Sequence, residues 1–198
     1  MARSRPRGAA RAGLLLLALA AAALGLAAAA APVVYDNFAQ ALDAQAPNGY
    51  ATAKRLVDFL GLRPAYSNPA YVATLLVPND KAFEQLAAGS GVSVDGLLSM
   101  AAGNPLLRRM LSNALAYNTI PGQVVGQFQF AEGQKFKTAY QGKELTAKRD
   151  ASGVYLTGAL DTRGVPAKIV AGNFRTKAGV AHGVNAALIP FTLPRTLG

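Results

Sequence analysis

Past its midpoint this chain changes the period at which apolar residues recur. From Val34 to Leu115 they return every three to four positions, the interval of a helix that buries one face. Val34, Phe38 and Leu42 form one such stripe. Leu56, Val57 and Leu60 form a second, with Lys54, Arg55 and Asp58 on the opposite side. Gly61 and Pro64 close that helix, since proline cannot extend the hydrogen-bond ladder. Residues 71 to 77 form an apolar run with β-branched members, which predicts a buried strand. Asn79 then caps a helix through Leu86, ended by Gly89-Ser90-Gly91. Ser93 or Asp95 opens a short helix to Ala101. Asn104, with Pro105 behind it, opens another, whose apolar face is predicted as Leu106, Leu107, Met110, Leu111 and Leu115.

Downstream the period falls to two. Phe136, Thr138 and Tyr140 alternate with Lys135, Lys137 and Ala139. Leu145 and Ala147 alternate with Glu144, Thr146 and Lys148, and Val154 and Leu156 with Tyr155 and Thr157. These are half-buried strands separated by turn signals at Gln141-Gly142 and Asp150-Ala151-Ser152-Gly153. Residues 167–171 and 179–184 are two more strand candidates. Helices first and strands later predict an α+β domain with helices packed on one side of the sheet.

The first residues follow neither pattern. Arg3, Arg5, Arg7 and Arg11 precede a Leu/Ala run from Leu14 to Leu26, interrupted only by Gly25, and small residues to Ala31. That order is expected of a secretory signal peptide over residues 1–31, cleaved near Ala29 or Ala31. Residues 32–198 are then expected to form a single domain, long enough for a real core. Cysteine is absent, so neither disulfides nor thiolate chemistry contribute. No Asn-x-Ser/Thr sequon is present, and residues 191–198 lead to the expectation that there is no lipid anchor.

Charge adds an asymmetry. The formal net charge is +10, and without the four leader arginines it is +6. Residues 32–132 hold six basic and seven acidic side chains, whereas residues 133–198 hold ten and three. A basic second half suits an anionic polymer, matrix or membrane surface. Lys135, Lys137, Lys143, Lys148 and Arg149 are the candidate basic surface, on adjacent predicted strands.

Catalytic constellations are hard to assemble. One histidine allows no multi-histidine metal site. There is no Gly-x-Ser-x-Gly elbow, no phosphate loop and no dinucleotide fingerprint. Asp80 and Glu84 share a helix face, as solvated carboxylates do. The expectation is a protein that is not an enzyme and holds no metal.

Three segments carry a resemblance. They are Thr74-Leu75-Leu76-Val77-Pro78-Asn79-Asp80-Lys81-Ala82-Phe83, then Leu115-Ala116-Tyr117-Asn118-Thr119-Ile120-Pro121-Gly122, and then Ala178-Gly179-Val180-Ala181-His182-Gly183-Val184-Asn185-Ala186-Ala187-Leu188-Ile189-Pro190. In this order they resemble the two signature motifs of the fasciclin domain and the tyrosine-centred segment between them. The resemblance spans about Asp36 to Leu193. It implies a β-wedge flanked by helices and a secreted or extracellular binding module for cell adhesion, matrix or cell-wall association. In a bacterium the compartment would be the periplasm or cell wall.

The same resemblance assigns Thr74, Asn79, Tyr117, His182 and Asn185 to structural motif positions. His182 is expected to bond polar groups near Thr74 or Asn79, since buried polar groups are paired. Asn118 departs from the pattern, which commonly has histidine after the tyrosine, and Asn185 stands where aspartate is frequent. Some secreted basic single-domain proteins similar to this one bind carotenoids. A second reading is therefore a water-soluble carrier of a carotenoid or similar lipophile, with Leu75, Leu76, Ile169 and Val170 as groove walls. Expected partners are an extracellular protein, a polysaccharide or an anionic surface, or a lipophilic small molecule under the second reading. Nucleic acid and a transmembrane or lipid anchor are not expected.

Overall fold

A computed structural model describes residues 32–158 and 164–191; the expected leader over 1–31 and the residues beyond 191 lie outside the described residues. In chain order the elements are strand β1 (Val34–Tyr35), helices α1 (Phe38–Gln45), α2 (Ala51–Phe59) and α3 (Arg63–Tyr66), strand β2 (Ala73–Pro78), and helices α4 (Asp80–Ala88), α5 (Val94–Gly103) and α6 (Pro105–Tyr117). Strands β3 (Thr119–Pro121), β4 (Lys135–Lys137), β5 (Glu144–Asp150), β6 (Gly153–Gly158), β7 (Ala167–Thr176) and β8 (Val180–Val184) follow. The sheet order is β3-β2-β8-β7-β6-β5-β4, with β1 beside β7. This is the α+β arrangement that the change of period predicts.

β2 is the spine. All six of its residues are buried, which explains why its sequence does not alternate. It runs parallel to β8, with Leu76 opposite His182, and antiparallel to β3, with Thr74 opposite Ile120. Its two faces meet different cores. Leu75 and Val77 join Phe38, Leu42, Leu56, Val57, Phe83, Leu97 and Leu111 under the helices. Leu76 joins Tyr117, Ile120, Phe130, Phe136, Leu145, Leu156, Ile169 and Leu188 within the strand-rich half. The helices thus cover one face of the central strands, and the β4–β7 meander closes over the other.

β7 makes this closure possible. Its first residues pair with β6 and its last with β1. Its pairing with β8 slips between Ile169 and Ala171 and again between Ala171 and Phe174. Such bulges bend a strand and increase its twist. The strand consequently runs to Thr176, beyond the predicted end at Ala171.

The predicted caps form. Asn79 Oδ1 accepts from the Ala82 N–H at 2.9 Å, Ser93 Oγ from Gly96 at 3.0 Å and Asn104 Oδ1 from Leu107 at 3.1 Å. Each is a bond of about 1 kcal/mol. Gln141 and Gly142 both have positive φ, 51° and 66°, as expected of a tight hairpin turn.

Two stripe assignments need correction. Val34 is not helical: Asn37 caps α1 by accepting from Gln40 at 2.9 Å, so the helix begins only at Phe38. Val34 is 57% exposed and pairs with Arg175. Leu106 is 68% exposed. The buried face of α6 is Leu107, Leu111, Ala114 and Tyr117, one residue out of phase with part of the predicted stripe.

Candidate functional site

The first and third motifs converge on a stretch of backbone that has almost no regular structure. Between β3 and β4 only a single 3-10 turn, Gln127–Gln129, interrupts residues 122–134. Backbone groups without a ladder need other partners. Thr74 supplies two: its Oγ1 accepts from the Val125 N–H at 2.9 Å and donates to the Gln123 carbonyl at 2.8 Å. His182 supplies a third. Its Nδ1 accepts from the Asn173 N–H at 3.1 Å, so the ring proton sits on Nε2, which donates to the Val125 carbonyl at 2.8 Å. Both backbone groups of Val125 are therefore held by motif side chains.

The β7 bulge completes the clamp. Asn173, at φ 62°, turns its side-chain oxygen to accept from Gln127 N–H at 3.0 Å. Arg149 reaches the same segment from β5, with Nε donating to the Phe130 carbonyl and Nη2 to that of Gln127, each at 3.0 Å. The Phe130 ring packs edge-on against the His182 imidazole with centroids 5.6 Å apart. His182 is fully buried. Burial holds its pKa below the usual value, opposed by the bond to Val125.

The glycines of the third motif have a steric purpose. A Cβ on Gly183 would lie 1.8 Å from the Tyr50 hydroxyl oxygen. A Cβ on Gly179 would lie 2.4 Å from Phe38 Cζ and 2.7 Å from the Ala73 carbonyl. Rings from α1 and from the residue preceding α2 thus rest directly on β8 and its approach, seating the helical layer on the sheet.

The other motif residues are also structural. Tyr117 is fully buried, with its ring edge-on to Tyr140 at 6.1 Å. Asn185 Oδ1 accepts from Lys168 N–H at 2.8 Å, and its own N–H donates to the Lys168 carbonyl at 3.1 Å. Asn118, which departs from the motif, is buried. Its Nδ2 donates to the carbonyls of Ala114 at 2.8 Å and Leu188 at 2.6 Å, and its Oδ1 accepts from Leu188 N–H at 3.4 Å. A side-chain amide offers donors and an acceptor together, so it can grip both polar groups of one residue. That tie, with Asn173 and the Tyr50–Gly183 contact, is what sequence reasoning missed. None has a local signal, because each joins positions far apart in the chain.

Three expectations change. His182 lies beside the first motif, as expected, but its bonds go to Val125 and Asn173 and not to Thr74 or Asn79. Leu75, Leu76, Ile169 and Val170 do not share a wall. Leu75 and Leu76 are successive strand residues and point to opposite faces; Ile169 packs with Leu76, while Val170 is 51% exposed. The cavities that Leu75 borders hold about 10 and 20 Å³, room for about one water each. Of the basic set, Lys135, Lys137 and Lys148 stand on the outward face of β4 and β5 and Lys143 on the turn between them. Arg149 is turned to the clamped segment and helps hold it.

No group of three or more metal-ligating side chains exists among the described residues. The buried Tyr50 and Tyr66 and the half-buried Tyr71 favour their neutral forms: desolvation raises their phenols, Tyr66 to about 12. Among the described residues no helix is long and apolar enough to cross a membrane.

Sheet, clamp and motif order together define a fasciclin domain. The fasciclin domain family model matches residues 48–190, most of the chain, and the protein belongs to that family. Among solved structures, a fasciclin domain pair from the insect cell adhesion molecule fasciclin I is similar in fold. Its TM-score is 0.64 at 12% identity, over 79% of this chain and 52% of that one. This chain thus spans about half the length of that domain pair. No curated protein sequence matches it.

Proposed function

We propose that this protein is a secreted extracellular binding module of the adhesion type and not an enzyme. One observation carries the reading: the polar side chains of the motifs bond the protein's own backbone. Thr74, Asn79, Asn118, His182 and Asn185 all have such partners. Residues engaged in this way hold a scaffold, and recognition falls to the exposed surface. A fold likeness to a cell adhesion molecule agrees with this.

The test has two parts. Expressed in its native host, the protein should be recovered outside the cytoplasm with its first residues removed. Coated on a surface, it should retain cells or matrix from that host, and His182→Ala should weaken retention only in proportion to the folded fraction lost. Retention of the protein in the cytoplasm would overturn the reading. So would a visible absorption band that co-purifies stoichiometrically, which would favour the carotenoid carrier.

A further inference from the structure

The outward face of the β4–β7 meander has a composition of its own. Across the registers, one row reads Lys135, Thr146, Thr157 and the next Lys148, Tyr155, Lys168. Lys137 flanks them opposite Glu144. Tyr155 sits between two lysines on neighbouring strands, and Lys168 Nζ lies 5.5 Å from the centre of its ring. Below this face the residues between the rows, Phe136, Leu145, Ala147, Val154 and Leu156, are fully buried. The strands are therefore rigidly backed, and the lysines project from a fixed surface.

Among the described residues the charges on this face are incompletely neutralised. Glu144 pairs with Lys135 at 3.4 Å. Asp150 accepts from Ser152 and Gly153, and the nearby Lys168 helps lower its pKa after those bonds. Lys137 and Lys148 have no ion-pair partner among the described residues. Adjacent strands lie about 4.8 Å apart, so Lys148 and Lys168 stand nearly 10 Å apart with the ring between them. Alternate residues on one strand, such as Lys135 and Lys137, are separated by about 7 Å.

We propose that this face binds an anionic polysaccharide, with Lys137, Lys148 and Lys168 meeting successive carboxylate or sulfate groups and Tyr155 stacking against a sugar ring between them. The proposal deepens the extracellular-module reading by naming the chemistry of its partner. A lattice of separated point charges suits a polymer whose anionic groups recur along its length. The aromatic face offers what a sugar ring can cover and a phospholipid headgroup does not need. The hydroxyls of Thr146 and Thr157 add hydrogen-bonding capacity beside it.

The experiment uses the purified protein, immobilised heparin and polygalacturonate as probes, neutral dextran as a control, and vesicles containing phosphatidylserine as the competing surface. Binding to at least one polyanion and not to dextran is expected, falling with salt as exposed charges are screened. Lys137→Gln with Lys148→Gln should weaken it about tenfold at low salt, as two exposed charge contacts allow. Lys81→Gln with Arg109→Gln, the same charge removed from the helical half, should change it less than twofold. Tyr155→Ala should weaken polysaccharide binding while leaving vesicle binding unchanged, with circular dichroism reporting folded protein. Equal losses from the two charge pairs, or vesicle binding without polysaccharide binding, would overturn the proposal. Cell or matrix retention that persists without polyanion binding would overturn it too, while leaving the extracellular-module reading in place.

Discussion

The helical layer and the strand meander treat their charges differently. In the helices three of the bases face acids. Lys54 pairs with Asp58 at 3.1 Å and Asp43 at 3.7 Å, Arg63 bridges the same two carboxylates, and Arg55 reaches Asp95. Arg108 donates to the Phe59 carbonyl at 2.8 Å and lies over the Phe59 ring. On the meander Lys137, Lys143 and Lys148 point to solvent with no ion pair among the described residues. The helical layer closes more of its charges on itself, although Lys81 and Arg109 also lack an ion pair among the described residues, and the meander closes only Lys135, on Glu144. The asymmetry visible in a residue count is thus sharper in space, since paired charges attract distant partners far less than unpaired ones.

If the two layers are joined by apolar fit and the clamp, and surface charge holds neither, substitutions should rank accordingly. The largest effect is expected at the joint. Gly183→Ala forces Tyr50 from its seat and should cost about 3 kcal/mol, at the upper end of overpacking. In a domain of this size that lowers Tm by about 10 °C. Combining it with Tyr50→Ala should cost less than the sum of the two single changes, because the clash is removed with the ring. Strict additivity in thermal unfolding would mean that the ring does not rest on the strand.

Next comes the clamp. Thr74→Val keeps the shape but leaves the Val125 N–H and Gln123 carbonyl without their side-chain partner. A loss of about 2 kcal/mol is expected in urea unfolding, with faster hydrogen exchange at Val125. Unchanged exchange would show that Thr74 does not hold the segment.

Acid should reach the clamp through His182. Its folded pKa lies below the ordinary histidine value of about 6.5, so between the two values the unfolded chain binds the extra proton and the folded protein does not. Stability from this group is complete above about pH 6.5 and falls as pH drops toward the folded pKa, by up to about 1.4 kcal/mol per pH unit. His182→Gln should be less stable at pH 7.5 but lose less between pH 6.5 and 5. Parallel pH profiles for the two proteins would assign the acid sensitivity elsewhere.

The smallest effects belong to the surface charges. Arg55→Gln removes a pair whose side chains are 52% and 77% exposed, and should cost less than about 0.5 kcal/mol. Lys137→Gln with Lys148→Gln should leave Tm unchanged or slightly higher, because it relieves repulsion without breaking an ion pair. A marked fall in Tm for that pair would show that the open charges support the fold.

The amino-acid sequence by itself determined the local half of this protein. It located the α-to-β change of period, the caps at Asn79, Ser93 and Asn104, the turn at Gln141-Gly142 and the adjacency of the two motifs. Each depends on residues within a few positions or on a motif pattern, so the information sits in one stretch of chain. The helical stripes went astray at Val34, which lies ahead of the Asn37 cap, and at Leu106, one residue off the buried face of α6. Tertiary structure alone decided which residues do the holding. The bonds of Thr74 and His182 to Val125, of Asn118 to Leu188, and of Arg149 to Gln127 and Phe130 each close over 19 to 70 residues. No local propensity encodes such pairings. They arise because β2 is buried on both faces, so that Leu75 and Leu76 part company, and because bulges in β7 swing Asn173 back over the irregular segment. The same folding separates Arg149 from Lys148, its neighbour in sequence, since consecutive residues on a strand face opposite ways.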